Sequence, residues 1–104
     1  DWGHAKDYVE AMWKMLQIKK PRDFVIGTGK THTVKDFLKI AFKSQNLDYR
    51  KYLVIDKKLL RKTDKIILRA DFKKAKTLLK WKPQINFKSL INEMVNFDLN
   101  KQEK

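Results

Sequence analysis

The sequence lacks several features that define whole classes of protein. Its 104 residues include no cysteine, which excludes disulfide scaffolds, thiolate nucleophiles and thiolate zinc sites. Only three glycines and two prolines occur, and 42% of the residues are hydrophobic, so the chain falls outside the collagen-like and disordered classes. No apolar run approaches the ~18 residues of a membrane span, and no signal peptide precedes the first predicted helix. We expect one soluble domain, residues 1–104, in the cytoplasm.

Acidic residues are also scarce relative to basic ones. The chain has 25 Lys and Arg against 12 Asp and Glu, a formal net charge of +13. Between Lys57 and Lys82, 11 basic residues are opposed only by Asp64 and Asp71. This density suggests a basic module that binds nucleic acid through residues 57–82. Against that hypothesis, 21 of the 25 cations are Lys, whereas base-edge and bidentate phosphate recognition favours Arg.

The spacing of apolar residues predicts about four helices alternating with a few short strands. The strands are predicted at residues 23–26, 52–55 and 66–68, and this alternation favours an α/β fold. Helices are predicted from Ala5, from Val34 behind a Thr33 capping box, after Asp71 and after Asn86. We expect the first helix to bury one apolar face, which consists of Ala5, Tyr8, Val9, Met12 and Leu16. The last helix is expected to bury Phe87, Leu90, Ile91, Met94 and Val95. Trp13 and Trp81 are expected to pack in the core.

The segment Gly27-Thr28-Gly29-Lys30-Thr31 lies where phosphate-binding loops occur, between a predicted strand and a predicted helix. Its glycine spacing fits neither the P-loop nor the dinucleotide fingerprint. Two interpretations remain, a structural turn in which glycine supplies a positive φ and a direct phosphate cradle, and the first is favoured.

Other polar residues form no recognisable catalytic or metal-binding constellation. His4 and His32 lie at helix starts without partners at ligand spacing, so we expect no metal site and a capping or packing role for His4. Asp7 and Glu10 share a helix face and are expected to be solvated. Trp2 could either stack on a base or pack. We therefore assign no catalytic residue within this chain.

A resemblance to a known family runs through nearly the whole sequence. Residues 1–13, DWGHAKDYVEAMW, are similar to the RDWGHAxDYVxAMW segment of GDP-mannose 4,6-dehydratases, without its leading arginine. Residues 24–34, FVIGTGKTHTV, resemble the family's FVIATGxTHSV, and Trp81-Lys82-Pro83 fits its WxP. The chain thus resembles the C-terminal, substrate-binding portion of an extended short-chain dehydrogenase/reductase, with the N-terminal Rossmann part absent.

The resemblance implies a role for the basic segment. In the family, an arginine in an RPAEVD loop lies on the diphosphate of GDP and the acid on its ribose, and the matching residues here are Arg61 and Asp64. It also implies a parent lyase that converts GDP-mannose to GDP-4-dehydro-6-deoxymannose and water. NADP would be bound by the missing N-terminal domain, which would also carry the catalytic Thr, Glu, Tyr and Lys, and the parent would be a homo-oligomer. The alternatives are a related nucleotide-sugar epimerase or dehydratase and the nucleic-acid-binding module.

Overall fold

The protein is described by a computed structural model covering residues 1–102, without the side chains of residues 64 and 65. These residues form four α-helices: α1 (Ala5–Met15), α2 (Val34–Lys43), α3 (Lys73–Leu78) and α4 (Phe87–Gln102). Three 3₁₀-helices lie between α2 and α3, at Tyr49–Lys51, Lys57–Leu59 and Lys62–Lys65. Within the described residues, no helix is long and apolar enough to cross a membrane.

The predicted α/β fold is wrong for the described residues, which contain helices and no strand. Residues 23–26, 52–55 and 66–68 have strand-like composition, but a strand needs a neighbour to accept its N–H groups and donate to its carbonyls. The backbone bonds recorded at these segments are local, from Leu53 N to Tyr49 O and from Ile66 N to Thr63 O. Phe24 and Ile26 of the first segment pack against the core without strand pairing, and within the described residues no neighbouring strand pairs with any of the three segments.

Side-chain caps fix the helix starts as the sequence predicts. Thr33 and Asp36 form the predicted capping box on α2, each side chain bonding the other's backbone N–H at 3.0 Å. Ahead of α4, Asn86 Oδ1 accepts from Ser89 N at 2.8 Å, and ahead of α3, Asp71 Oδ1 accepts from Lys73 N at 3.1 Å. The caps of α2 and α4 are confirmed because capping depends on neighbours only a few residues apart. At α3 the N-cap position is Phe72, and Asp71 binds the first helical amide from one residue earlier.

The core lies where α1 and α3 meet and is centred on a tryptophan. Trp81 is 1% exposed, as predicted, and its indole Nε1 donates to Asp7 O at 2.8 Å. The other buried members of the cluster are Ala11, Ala75 and Leu79, with Tyr8, Met15, Ile18, Phe24, Ile26 and Phe72 packed around them. Below α2, the buried side chain of α4 is Ile91.

The prediction of which face α1 buries is wrong except for Tyr8, which packs against the core as predicted. Val9, Met12 and Leu16 are exposed, and Trp13, predicted for the core, is 62% exposed. The helix carries two apolar stripes, and the core uses the one that contains Tyr8, Ala11 and Met15. Periodicity identified an apolar helix but could not choose between two adjacent faces.

Asp7 also departs from the sequence-based expectation. It is 3% exposed, and its Oδ2 accepts from the backbone N–H groups of Gln84 and Ile85, both at 3.0 Å. This buried carboxylate fixes the segment between Trp81 and α4 against α1. Glu10 lies on the surface as expected and pairs with Lys14 at 3.3 Å.

Candidate functional site

The residue proposed from sequence to contact a diphosphate, Arg61, lies in an exposed part of the chain. We call residues 52–69 the Arg61 segment; every side chain described in it is exposed. Arg61 itself stands between the 3₁₀-helices Lys57–Leu59 and Lys62–Lys65. The adjacent cations Lys57, Lys58 and Lys62 make this stretch electropositive, which favours the approach of an anion.

Asp64, predicted to contact the ribose, lies in the same short helix that follows Arg61. Its backbone belongs to the 3₁₀-helix Lys62–Lys65, three residues after Arg61. Its side chain lies outside the described part of the structure, so the ribose contact stays a prediction.

The glycine turn before α2 is a structural turn, as the favoured interpretation predicted. Gly29 has a φ of 73°, a conformation that glycine adopts without steric cost. The Asp1 carboxylate accepts from Thr28 N at 2.9 Å and from Gly29 N at 2.8 Å. A carboxylate of the chain therefore takes the two amides that a phosphate would need, and this turn does not fit a dinucleotide diphosphate.

Asp1 also anchors the end of the Arg61 segment, a role that the sequence analysis missed. Its Oδ2 accepts from Ala70 N at 3.0 Å as well as from Gly29 N. One carboxylate thus joins the glycine turn to the residue that directly follows the segment. A single aspartate with partners 27 and 69 residues away gives no local sequence signal.

His4 links two helices and has the capping role predicted for it. Its Nδ1 accepts from Lys6 N at 3.0 Å, and its Nε2 lies 3.0 Å from Glu93 Oε2 of α4. Across the part of the chain that the structure describes, no group of three histidine, aspartate or glutamate side chains is arranged to hold a metal ion.

The tyrosine of α1 is not suited to act as a base near neutral pH. Burial raises the pKa of Tyr8 above its ordinary value, and the negative charge of Asp7 raises it further. The phenol therefore stays protonated.

A cleft of about 520 Å³ opens where α2 and α4 begin, away from the positions assigned from sequence. Its aromatic lining consists of Trp2, His32 and Phe87. The His32 ring stacks on Phe87 with centroids 3.8 Å apart, and Trp2 stacks on Phe87 at 5.6 Å. The sequence left two interpretations for Trp2, stacking on a base or packing in the protein. In the structure Trp2 packs on protein rings and remains 39% exposed. Sequence reasoning missed the cleft because four separate segments build it.

The charged residues on the cleft are mostly basic. Lys30, Lys39 and Lys88 line it together with one acid, Asp36. Hydrogen bonds from the Thr33 backbone and then the Thr33 side chain lower the pKa of Asp36, and the charges of Lys39 and His32 lower it further. Asp36 is therefore ionised, and from the first turn of α2 its side chain accepts from the backbone N–H of the N-cap residue Thr33.

Comparisons with known proteins give one consistent family. The family model described as GDP-mannose 4,6 dehydratase matches residues 1–94. GDP-mannose 4,6 dehydratase 1 of Arabidopsis thaliana is 48% identical over 99 residues, which cover 95% of this chain and 27% of that protein. The Homo sapiens GDP-mannose 4,6 dehydratase is 42% identical over 116 residues, covering 95% of this chain and 31% of the relative. This chain therefore spans about 27 to 31% of the length of these two relatives.

Proposed function

Because this chain belongs to the GDP-mannose 4,6-dehydratase family, we propose that it supplies the nucleotide-sugar-binding part of an enzyme that converts GDP-mannose to GDP-4-dehydro-6-deoxymannose and water. The observation that carries the proposal is the family match over residues 1–94, which includes the Arg61 segment. The catalytic groups of such an enzyme are proposed to lie outside this chain.

In this proposal, Arg61 binds the diphosphate of the substrate. Arg61 lies on an exposed segment, and guanidinium-phosphate pairing is charge-assisted and geometrically selective. Asp64 is proposed to accept a hydrogen bond from the ribose. Holding the nucleotide in this way uses binding energy remote from the hexose to orient its reacting carbons.

NADP is proposed as the cofactor of the complete enzyme, where it would accept and return hydride. The described residues of this chain do not fit it at the glycine turn, because Asp1 occupies the amides of Thr28 and Gly29. We therefore assign the cofactor to residues outside this chain and no step of its chemistry to residues within it.

The test is to replace Arg61 in the full-length enzyme that contains this chain. Arg61→Ala should weaken GDP-mannose binding by about 1.5 to 3 kcal/mol, the net range for a hydrogen bond to a charged group. Isothermal titration calorimetry measures the affinity, and Arg22→Ala, at an exposed arginine before the glycine turn, is the matched control. Unchanged affinity in Arg61→Ala would refute the assignment.

Two alternatives give different results in the same titration. A related epimerase or dehydratase would prefer another nucleotide sugar in a competition panel. A nucleic-acid-binding module would bind arbitrary RNA or DNA with steep salt dependence and without competition from GDP. Homo-oligomerisation and a cytoplasmic location are further proposals from the family resemblance, to be tested by light scattering and cell fractionation.

A further inference from the structure

The cleft between α2 and α4 combines flat aromatic faces with positive charge. His32 and Trp2 both stack on Phe87, with interplanar angles of 5° and 6°. Phe37 meets Trp2 edge-on at 5.9 Å and so holds that ring from the side. The rings are fixed by one another, so a planar ligand would meet a surface that is already ordered.

The positive charge on this cleft exceeds what its own acid neutralises. Asp36 interacts electrostatically with Lys39 and accepts a hydrogen bond from Thr33 N in the capping box. Lys30 and Lys88 lie on the same cleft, and none of the ion pairs recorded among the described side chains includes either of them. Two exposed ammonium groups are therefore left to meet an anion.

Backbone groups near the cleft are already used by the fold. The amides of Thr28 and Gly29 donate to Asp1, and those of Gln84 and Ile85 donate to Asp7. An anion in the cleft would therefore be held by lysine side chains. Lys30, the lysine of the glycine-rich segment, would therefore bind the anion with its side chain, although the backbone amides of the turn do not.

We propose that this cleft binds a planar aromatic ring bearing a phosphate, the chemistry of a nucleoside monophosphate, at a site separate from the Arg61 segment. The ring would lie against the Trp2, His32 and Phe87 surface, and the phosphate would pair with Lys30 and Lys88. The cleft volume of about 520 Å³ is in the range of small-molecule sites. Aromatic stacking and a charge-assisted contact together favour this class over a sugar phosphate or a neutral ring.

The experiment titrates GMP into the full-length protein carrying Arg61→Ala, so that the proposed nucleotide-sugar site is weakened. Guanosine and ribose 5-phosphate serve as probes for the ring and the phosphate alone. We expect GMP to bind more tightly than either. The double variant Lys30→Gln, Lys88→Gln should weaken GMP about tenfold or more and leave guanosine unaffected. Lys20→Gln, Lys76→Gln, at exposed lysines elsewhere, is the matched control.

A second variant tests the stacking surface. Trp2→Leu should weaken GMP and guanosine but not ribose 5-phosphate, and circular dichroism checks that the fold is retained. If Trp2→Leu fails to fold, the Lys30→Gln, Lys88→Gln variant alone tests the proposal. Its substitutions are at exposed side chains, so the fold should be retained. Loss of GMP binding on Arg61→Ala alone, or equal binding by the lysine pair and its control, would overturn the proposal.

Discussion

Two regions of this molecule have similarly apolar sequences and opposite environments. Around α1, buried polar groups and a tryptophan hold the chain together, with Trp81 bonded to Asp7 O and the Asp7 carboxylate bonded to Gln84 and Ile85. In the Arg61 segment, Val54 and Ile67 are 85% and 81% exposed. The difference shows that an apolar side chain stabilises a fold only where a second surface packs against it.

The largest expected change in stability comes from replacing Trp81, the residue at the centre of the core. Trp81→Ala should lower the free energy of unfolding by about 3 to 5 kcal/mol, since it deletes a buried indole and leaves a cavity. Urea denaturation measures the effect. Trp13→Ala is the matched control, because Trp13 is exposed on α1 and its loss should cost much less. Equal losses in the two variants would contradict the assignment of α1's buried face.

A smaller effect is expected from the buried carboxylate of α1. Asp7→Ala leaves the N–H groups of Gln84 and Ile85 without their acceptor and should cost about 2 kcal/mol. Glu10→Ala, on the solvated side of the same helix, is the control and should change stability by under about 0.5 kcal/mol. The same denaturation assay applies, and a cost no greater than that of Glu10→Ala would show that Asp7 does not anchor the segment.

In the Arg61 segment, the loss of an apolar side chain should have little effect on the stability of this chain. Ile67→Ala removes a side chain that is largely exposed and makes few packing contacts, so the free energy of unfolding should change by under about 0.5 kcal/mol. Hydrogen exchange adds a second measurement, since amides of residues 52–69 should exchange faster than those of α1. Strong protection in this segment would mean that it packs in a way the structure does not show.

The smallest effect concerns the cap of α2, which lies outside both regions. The pKa of Asp36 is lowered mainly by hydrogen bonds from Thr33, so the capping contribution is present at neutral pH and is lost as the pH falls through the folded-state pKa. Thr33→Ala keeps the backbone N–H that donates to Asp36 and removes the Thr33 side chain, so it should raise the pKa of Asp36 only part of the way to its ordinary value, as measured by carboxyl NMR titration. The pKa of Asp48, which is lowered by its hydrogen bonds with Arg50, is the control and should not change; an Asp36 pKa that also stayed fixed would rule out the Thr33 side chain as a cause of the shift.

Local signals in the sequence predicted the helices well, because caps and apolar spacing act over a few residues. Thr33 and Asn86 cap α2 and α4 as predicted, and Asp71, one residue before the N-cap position of α3, accepts from that helix's first amide. The strands were wrong because pairing depends on a partner that no local pattern reveals. The cleft at Trp2 and the Asp1 anchor could not be predicted either, since their residues meet only through long-range folding.

The polar partners of α1 come very late in the chain. Asp7 O meets Trp81 across 74 residues, the Asp7 carboxylate meets Ile85 across 78, and His4 meets Glu93 across 89. During synthesis, the ribosome must therefore release nearly the whole of this sequence before its first helix can be locked in place. Until then, the stripe of α1 that contains Tyr8, Ala11 and Met15 lacks the partners that bury it and is open to wrong contacts.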